Sequence, residues 1–143
     1  MNKTILSALM LAAGCVVLPV SAGPFDGAQP LICASTEILE CVPGDGCNRV
    51  AAESVDAPQF MRIDFKAKSI SSERPDGGTR VSEIERSEVV DGKLMLQGAE
   101  DGIEDVRDGL GWTLSIGQEN GNMTLTGSGD AVGFVIFGAC TAM

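Results

Sequence analysis

The stretch LICASTEILECVPGDGCNRV, residues 31–50, decides the fold because it places three of the five cysteines around one tight turn. Its first part, residues 31–41, has few charges and is rich in Ile, Leu, Cys and Thr, which favours a β-strand. The next residues, VPGD at 42–45, have Pro second and Gly third. Because Pro presets a negative φ and Gly accepts a positive one, they predict a type II turn. Residues 48–55 are then expected to form the returning strand.

The cysteines predict two disulfide bonds that staple the domain. Cys41 and Cys47 flank the turn, and residues paired across a hairpin lie about 4.5–5.5 Å apart, within the range of a disulfide bond. Pairing them leaves Cys33, in the first strand, and Cys140, in the last, so that a second bond would tie the two ends of the domain together. The sequence alone does not decide among the connectivities that four cysteines allow. The hairpin geometry favours the connectivity that pairs Cys41 with Cys47 and Cys33 with Cys140.

The N-terminus has the layout of a secretory signal peptide over residues 1–22. A short basic start with Lys3 precedes the uncharged residues 4–20, and residues 20–22 (VSA) suit a cleavage site. The uncharged stretch is shorter than the roughly 20 residues that span a bilayer, so no transmembrane span is predicted. The rival interpretation is a lipoprotein signal, LAAGC, in which Cys15 carries a lipid anchor.

Either signal takes Cys15 out of the disulfide pattern and leaves an even number of cysteines in the domain. An even number in an exported chain fits an oxidising compartment. We therefore expect a single exported β-domain over residues 23–143. Its compartment is the bacterial periplasm or the extracellular space, or the membrane surface if the lipid anchor applies.

The composition excludes several classes of function. The 10 Lys and Arg residues face 20 Asp and Glu residues, which gives a net charge of −10 at pH 7. Such a chain repels nucleic acid and anionic lipid surfaces. The sequence contains no His, which excludes Ser-His-Asp and Cys-His catalysis as well as imidazole-ligated zinc. We therefore predict a protein that is not an enzyme and uses no cofactor.

Turn signals divide the rest of the chain into short strands. Asp91-Gly92 and Asn120-Gly121 are dipeptides typical of the type I′ hairpin turn. Residues 131–140 are apolar on both faces, which indicates a strand that is covered on both sides or pairs centrally. The pattern predicts an all-β fold, an antiparallel meander of about eight short strands closed into a small barrel. A β-sandwich is the alternative.

The acidic loop at residues 100–108 holds weak candidates for a metal site. Carboxylates on an irregular loop are ligands that calcium takes, but the spacing is not that of an EF-hand. A solvated loop without a metal ion is therefore expected. The candidate side chains are those of Asp101, Glu104, Asp105 and Asp108.

Two further features are candidates for contact with a ligand or a partner. Trp112, the single Trp, either packs in the core near a barrel end or lines a ligand cavity. The clamped turn, with Pro43, Gly44 and Asp45, is either a structural hairpin or a rigid loop that contacts a protein. Rigidity lowers the ordering cost of binding, which would suit the second role.

These features lead to three hypotheses for the function. The first is an exported, non-catalytic β-barrel that binds a small apolar or amphipathic ligand inside it, or a protein partner through its loops. The second is a secreted inhibitor of an extracytoplasmic enzyme, and the third is a structural envelope protein. The interior distinguishes the first two. A cavity of several hundred Å³ favours ligand binding, whereas an interior filled by Phe, Leu and Met leaves the function to the loops.

Overall fold

The computed structural model describes residues 24–74, 76–102, 105–106 and 109–143. The predicted signal peptide and the alternative lipid anchor at Cys15 lie outside the described residues. Those residues form ten β-strands and one short 3-10 helix, η1 (Ala52–Ser54). The strands are β1 (Leu31–Val42), β2 (Gly46–Arg49), β3 (Phe60–Asp64), β4 (Ser69–Glu73), β5 (Thr79–Glu83), β6 (Arg86–Val90), β7 (Lys93–Glu100), β8 (Leu110–Gly117), β9 (Asn122–Ser128) and β10 (Gly133–Ala142).

The strands pair antiparallel in one sheet. Their order is β5-β4-β3-β1-β10-β9-β8-β7-β6, and β2 pairs with β1 beside this path. Most neighbours in the sheet are also neighbours in the chain, so the sheet is a meander. The pair of β1 and β10 joins the first and last parts of the domain. Because β10 lies between β1 and β9, the central pairing predicted for residues 131–140 is confirmed.

The sheet curls because β5 and β6, at the two ends of its order, are consecutive in the chain. Ile84 N donates to Lys68 O at 2.8 Å, next to the β4–β5 ladder, and Glu85 N donates to Gln97 O at 2.9 Å, next to the β6–β7 ladder. The bent segment at residues 84–85 is thus hydrogen-bonded next to both ends of the sheet order, and it holds these two ends close together. The result is a curled half-barrel sheet, which confirms the all-β antiparallel meander and favours the barrel over the sandwich. It has ten strands instead of about eight.

Both predicted disulfide bonds are present. Cys33 on β1 lies opposite Cys140 on β10, and Cys41 lies opposite Cys47 across the β1–β2 hairpin. The first bond is buried, since Cys33 is 0% and Cys140 is 7% exposed. It joins two neighbouring strands that are far apart in the chain, whereas the second bond clamps a local turn.

Two of the predicted turns are confirmed. In the turn of the β1–β2 hairpin, Gly44 has a φ of 92° and Asp45 N donates to Val42 O at 3.2 Å, as a type II turn requires. Between β6 and β7, Asp91 has a φ of 48° and Gly92 a φ of 71°. Positive φ at both positions is the signature of the type I′ turn.

Two local predictions are wrong. The loop between β8 and β9 is not a type I′ turn, because four residues, 118–121, separate the strands and only Gly121 among them has a positive φ. Its amide donates to Gly117 O at 2.9 Å, which closes this longer loop. The returning strand predicted over residues 48–55 ends at Arg49, because η1 turns the chain back onto the core.

The concave face of the sheet holds the hydrophobic core. A bulge between Ser35 and Glu37 in β1 keeps Cys33 and Ile38 on this face, since an extra residue reverses the alternation of side chains. Phe25, which precedes β1, belongs to this core and packs beside Gly121. Large side chains that are fully buried fill the interior, namely those of Leu31, Ile63, Leu94, Leu96, Leu114 and Ile116.

Candidate functional site

The interior also contains a cavity of about 580 Å³, here called the open-end cavity. Its apolar wall comes from β8, β9 and β10. The opposite wall, here called the polar wall, comes from β3, β4, β5, the end of β7 and the segment after η1, and it carries the polar side chains of the lining among apolar ones such as Met61 and Ile70. The volume lies within the range of about 300–1,000 Å³ that is typical of small-molecule sites. The side chains of the apolar wall are those of Leu110, Trp112, Leu125, Phe134 and Ile136.

Small residues on the strands that line the cavity leave its volume unfilled. A Cβ atom placed on Gly127 of β9 would lie 3.4 Å from Leu110 Cδ1 and 3.9 Å from Phe134 Cβ. A side chain at this position would therefore occupy the space between those two residues. On the opposite side, β4 and β5 contribute Ser72 and Ser82 to the lining. The six large buried side chains of the core contribute nothing to it.

The polar wall contains a connected set of four side chains. Ser82, which is 8% exposed, donates its hydroxyl hydrogen to Glu100 Oε1. Arg80 Nε lies 3.7 Å from Glu100 Oε2. The Arg80 guanidinium also pairs with the Asp56 carboxylate, and its Nη1 donates to Asp56 O at 3.0 Å. This set, the Asp56–Arg80–Glu100–Ser82 network, begins at a half-exposed carboxylate and ends at a buried hydroxyl.

The network crosses a part of the curled sheet that has no backbone ladder, here called the β5–β7 seam. In the described part of the chain, no backbone hydrogen bond joins β5 to β7. The two strands still touch, because a Cβ atom on Gly98 would collide with the carbonyl oxygen of Glu83. Side chains therefore connect these strands, namely Ser82 and Arg80 on β5 with Glu100 on β7.

Trp112 belongs both to the core and to the cavity lining. A Cβ atom on Gly98 would lie 2.5 Å from Trp112 Cζ2 and 2.8 Å from Trp112 Cε2, so the glycine allows the indole to lie against β7. Trp112 is 7% exposed, and its Nε1 has no hydrogen-bond partner within the described residues. A buried donor without a partner costs about 1–3 kcal/mol and is rare.

The clamped turn lies apart from the open-end cavity. Pro43 lines a shallower depression of about 420 Å³, together with Asp130 and Val132 from the loop between β9 and β10. Gly44 and Asp45 are exposed and line neither of these two cavities. The structure thus does not bring the two candidate contact regions of the sequence together.

The acidic loop is only partly described. Asp101 borders the open-end cavity and is exposed, and Asp105 is also exposed. Glu104 and Asp108 lie outside the described residues. Among the residues that the structure does describe, no group of three or more His, Cys, Asp or Glu side chains is placed to hold a metal ion.

Arg80 and Ser82 are cavity residues that the sequence analysis missed. Alternate residues of a strand share a face, and both are in phase with Ile84, which is 5% exposed. Val81, by contrast, faces outward and is 64% exposed. Counting back from Ile84 in steps of two would have placed Ser82 and Arg80 on the inner face. The apolar but outward-facing Val81 hides this alternation.

Fold and cavity together define a disulfide-stapled antiparallel β-protein with an amphipathic interior. Comparison of the chain with protein-family models, with curated proteins and with solved structures found no significant match. In the described ranges, no helix has the length and apolar character needed to cross a membrane. The function is therefore inferred from the geometry of the molecule itself.

Proposed function

We propose that this protein is an exported, non-catalytic β-protein that binds a small amphipathic ligand in the open-end cavity. The observation that supports this proposal is the cavity of about 580 Å³ with one apolar and one polar wall. In known sites an apolar lining supplies most of the contact area, and a few polar groups fix the orientation. Here the apolar wall would supply the contact area, and the Asp56–Arg80–Glu100–Ser82 network would fix the orientation of the ligand.

Export of the protein is supported by its disulfide bonds. Cys47 is exposed, so the bond between Cys41 and Cys47 would be open to attack by thiols in a reducing cytosol. An oxidising compartment would preserve both bonds. The predicted signal peptide over residues 1–22 would direct the chain there, and lipidation at Cys15 is the alternative.

Contact with a protein through the clamped turn is the second candidate function. This candidate is supported by the exposure of all four residues of β2 and by the disulfide bond between Cys41 and Cys47, which fixes their hairpin. A secreted inhibitor would use such a loop. A purely structural role in the envelope would require neither the cavity nor the loop.

The first experiment is a native mass spectrum of the protein purified from its own host, compared with the spectrum of the same sample after unreduced denaturation. We expect additional mass in the native spectrum only, from a ligand released on denaturation. The denatured mass should correspond to a chain that begins at Gly23 and contains two disulfide bonds. Acyl mass on Cys15 would instead identify a lipoprotein. A native mass without ligand would favour the clamped turn as the contact region.

A pair of variants assigns the bound mass to the cavity. Gly127→Val should fill the space between Leu110 and Phe134 and lower ligand occupancy at least about tenfold, since a lost fit of about 1.4 kcal/mol changes affinity by that factor. Gly111→Val is the matched control, because no heavy atom lies within 4 Å of a Cβ atom there. Full occupancy in the Gly127→Val variant, with its fold retained by circular dichroism, would contradict the proposal.

A further inference from the structure

We infer that residues 50–59, here called the strap, close one side of the open-end cavity over the ligand, and that the contact between Asp56 and Arg80 keeps the strap closed. The inference rests on the proposed function, because it concerns how a ligand enters and leaves the same cavity. The strap connects β2 to β3 and contains η1. Its residues from Val55 to Pro58 line the cavity.

The strap lies between the cavity and solvent. Val55, Ala57 and Pro58 line the cavity and are partly buried. The side chain of Asp56 is 54% exposed, and Glu53 is exposed as well. One side of the strap therefore faces the space for the ligand, and the other side faces water. Movement of the strap away from the interior would open the cavity on this side.

Both ends of the strap are attached to β1. Val50 N donates to Ile38 O at 3.0 Å, and Ser35 N donates to Gln59 O at 2.9 Å. The Ser35 hydroxyl also donates to Pro58 O at 2.7 Å. Within the part of the chain that the structure describes, no other backbone–backbone hydrogen bond joins the strap to the rest of the protein. The ends are thus fixed, and the middle is not part of any ladder.

Arg80 on β5 holds the middle of the strap. Its guanidinium pairs with the Asp56 carboxylate, and its Nη1 donates to Asp56 O at 3.0 Å. In the described ranges, residues 55–57 form no hydrogen bond or ion pair with any other side chain outside the strap. Val55 and Ala57 add apolar contact with the core, but both remain partly accessible. The contact between Asp56 and Arg80 is therefore the main polar attachment of the middle.

The backbone of Asp56 makes this attachment more important. Its φ is 49°, a left-handed conformation that costs free energy in residues with a Cβ atom, although Asp and Asn adopt it more readily than most. Arg80 binds both the carboxylate and the carbonyl group of this residue, so one contact stabilises the bent backbone and fastens the strap. Segments with few backbone hydrogen bonds open locally at a lower free energy than a ladder does. Weakening the contact should therefore favour the open strap.

The test measures how fast an uncharged probe, N-phenyl-1-naphthylamine, leaves the cavity. Trp112 is the only Trp and lines the cavity, so energy transfer from it reports the bound probe. The loaded protein is mixed with phosphatidylcholine vesicles, which take up the released probe. We expect Asp56→Asn to speed release about three- to tenfold, as for the loss of one partly screened ion pair. Asn keeps the shape of the side chain and accepts the same φ.

Glu53→Gln is the matched control. It removes the same charge from the strap, but the Glu53 carboxylate accepts its hydrogen bond from Gln59, within the strap itself. Its release rate should equal that of the wild-type protein. Added salt should speed release from the wild-type protein, because salt screens the pair of Asp56 and Arg80, and should change release from Asp56→Asn much less.

Amide hydrogen exchange of residues 55–57, measured without the probe, gives a readout that does not depend on ligand binding. It should be faster in Asp56→Asn than in Glu53→Gln. Equal release rates in the two variants would overturn the inference and leave ligand binding supported. Faster exchange without faster release would also overturn it, because the strap would then move without controlling the cavity. No binding of the probe to the wild-type protein, together with a native mass free of ligand, would overturn the proposed function and the inference with it.

Discussion

Gly98 on β7 lies where β5 and the Trp112 side chain of β8 both approach the strand closely. A side chain there would collide with the carbonyl oxygen of Glu83 and would lie 2.5 Å from Trp112 Cζ2. The glycine therefore allows both the approach of β5 to β7 and the position of the indole in the cavity wall. In a strand such a residue often marks a close approach of backbone.

We expect Gly98→Ala to lower the free energy of unfolding by about 1–3 kcal/mol, the usual cost of overpacking a core. Gly111→Ala, on the neighbouring strand, is the matched control because a Cβ atom there has no neighbour within 4 Å. Its effect should be within about 0.5 kcal/mol, as for surface substitutions elsewhere. Urea unfolding followed by Trp112 fluorescence measures both. A similar loss in the two variants would contradict the close approach.

Single residues also show what the sequence is able to predict. The φ of Gly44 and the turn at Asp91-Gly92 follow from local preferences, so the sequence predicts them. The close approach at Gly98 depends on Glu83 and Trp112, which belong to other strands, so no local pattern reveals it. The Asp56–Arg80–Glu100–Ser82 network is likewise not visible in any local pattern, since its members come from the segment after η1, from β5 and from β7.

At the scale of elements, the two disulfide bonds have different tasks. The bond between Cys33 and Cys140 spans 107 residues of chain and joins β1 to β10, whereas that between Cys41 and Cys47 spans 6. In the chain-entropy treatment the first contributes roughly 5 kcal/mol and the second roughly 2 kcal/mol. Burial adds to the difference, because Cys33 and Cys140 belong to the core and Cys47 is exposed.

Removal of each bond by a pair of alanine substitutions should therefore have unequal effects. Cys33→Ala with Cys140→Ala should lower the free energy of unfolding by about 3–5 kcal/mol, and Cys41→Ala with Cys47→Ala by about 1–2 kcal/mol. Urea unfolding of the two double variants, at equal protein concentration, measures this. Equal losses would show that the long-range bond adds little beyond the β1–β10 ladder itself.

The elements are predictable where local signals mark them. The hairpin turns predict the meander, and the two-sided apolarity of residues 131–140 predicts a strand that is covered on both sides or pairs centrally. The division of residues 79–90 into β5 and β6 is not predictable from the local sequence, because the two strands are distinguished by their partners. Strand β5 pairs with β4 and β6 pairs with β7. Which partner a strand takes depends on the whole sheet.

At the scale of the whole molecule, the β5–β7 seam determines how firmly the sheet is curled. The ladders elsewhere are continuous from β5 through β1 to β6, so the seam is the place where side chains replace backbone hydrogen bonds in the described structure. Arg80 is central to it because it contacts Glu100 on β7 and Asp56 after η1. Its side chain is 22% exposed, so solvent screens these contacts only in part.

We expect Arg80→Met to lower the free energy of unfolding by about 1.5–3 kcal/mol, the usual range for hydrogen bonds to charged groups, and to speed amide hydrogen exchange along β5. Arg86→Met is the matched control, since Arg86 pairs with Glu88 at an exposed position on β6 where an ion pair contributes about 0–1 kcal/mol. Both variants remove one guanidinium from an acidic chain, so a general charge effect would be the same in each. If the losses are equal and exchange on β5 does not change, the seam is held by shape alone, and the ladders together with the long-range disulfide bond suffice to curl the sheet.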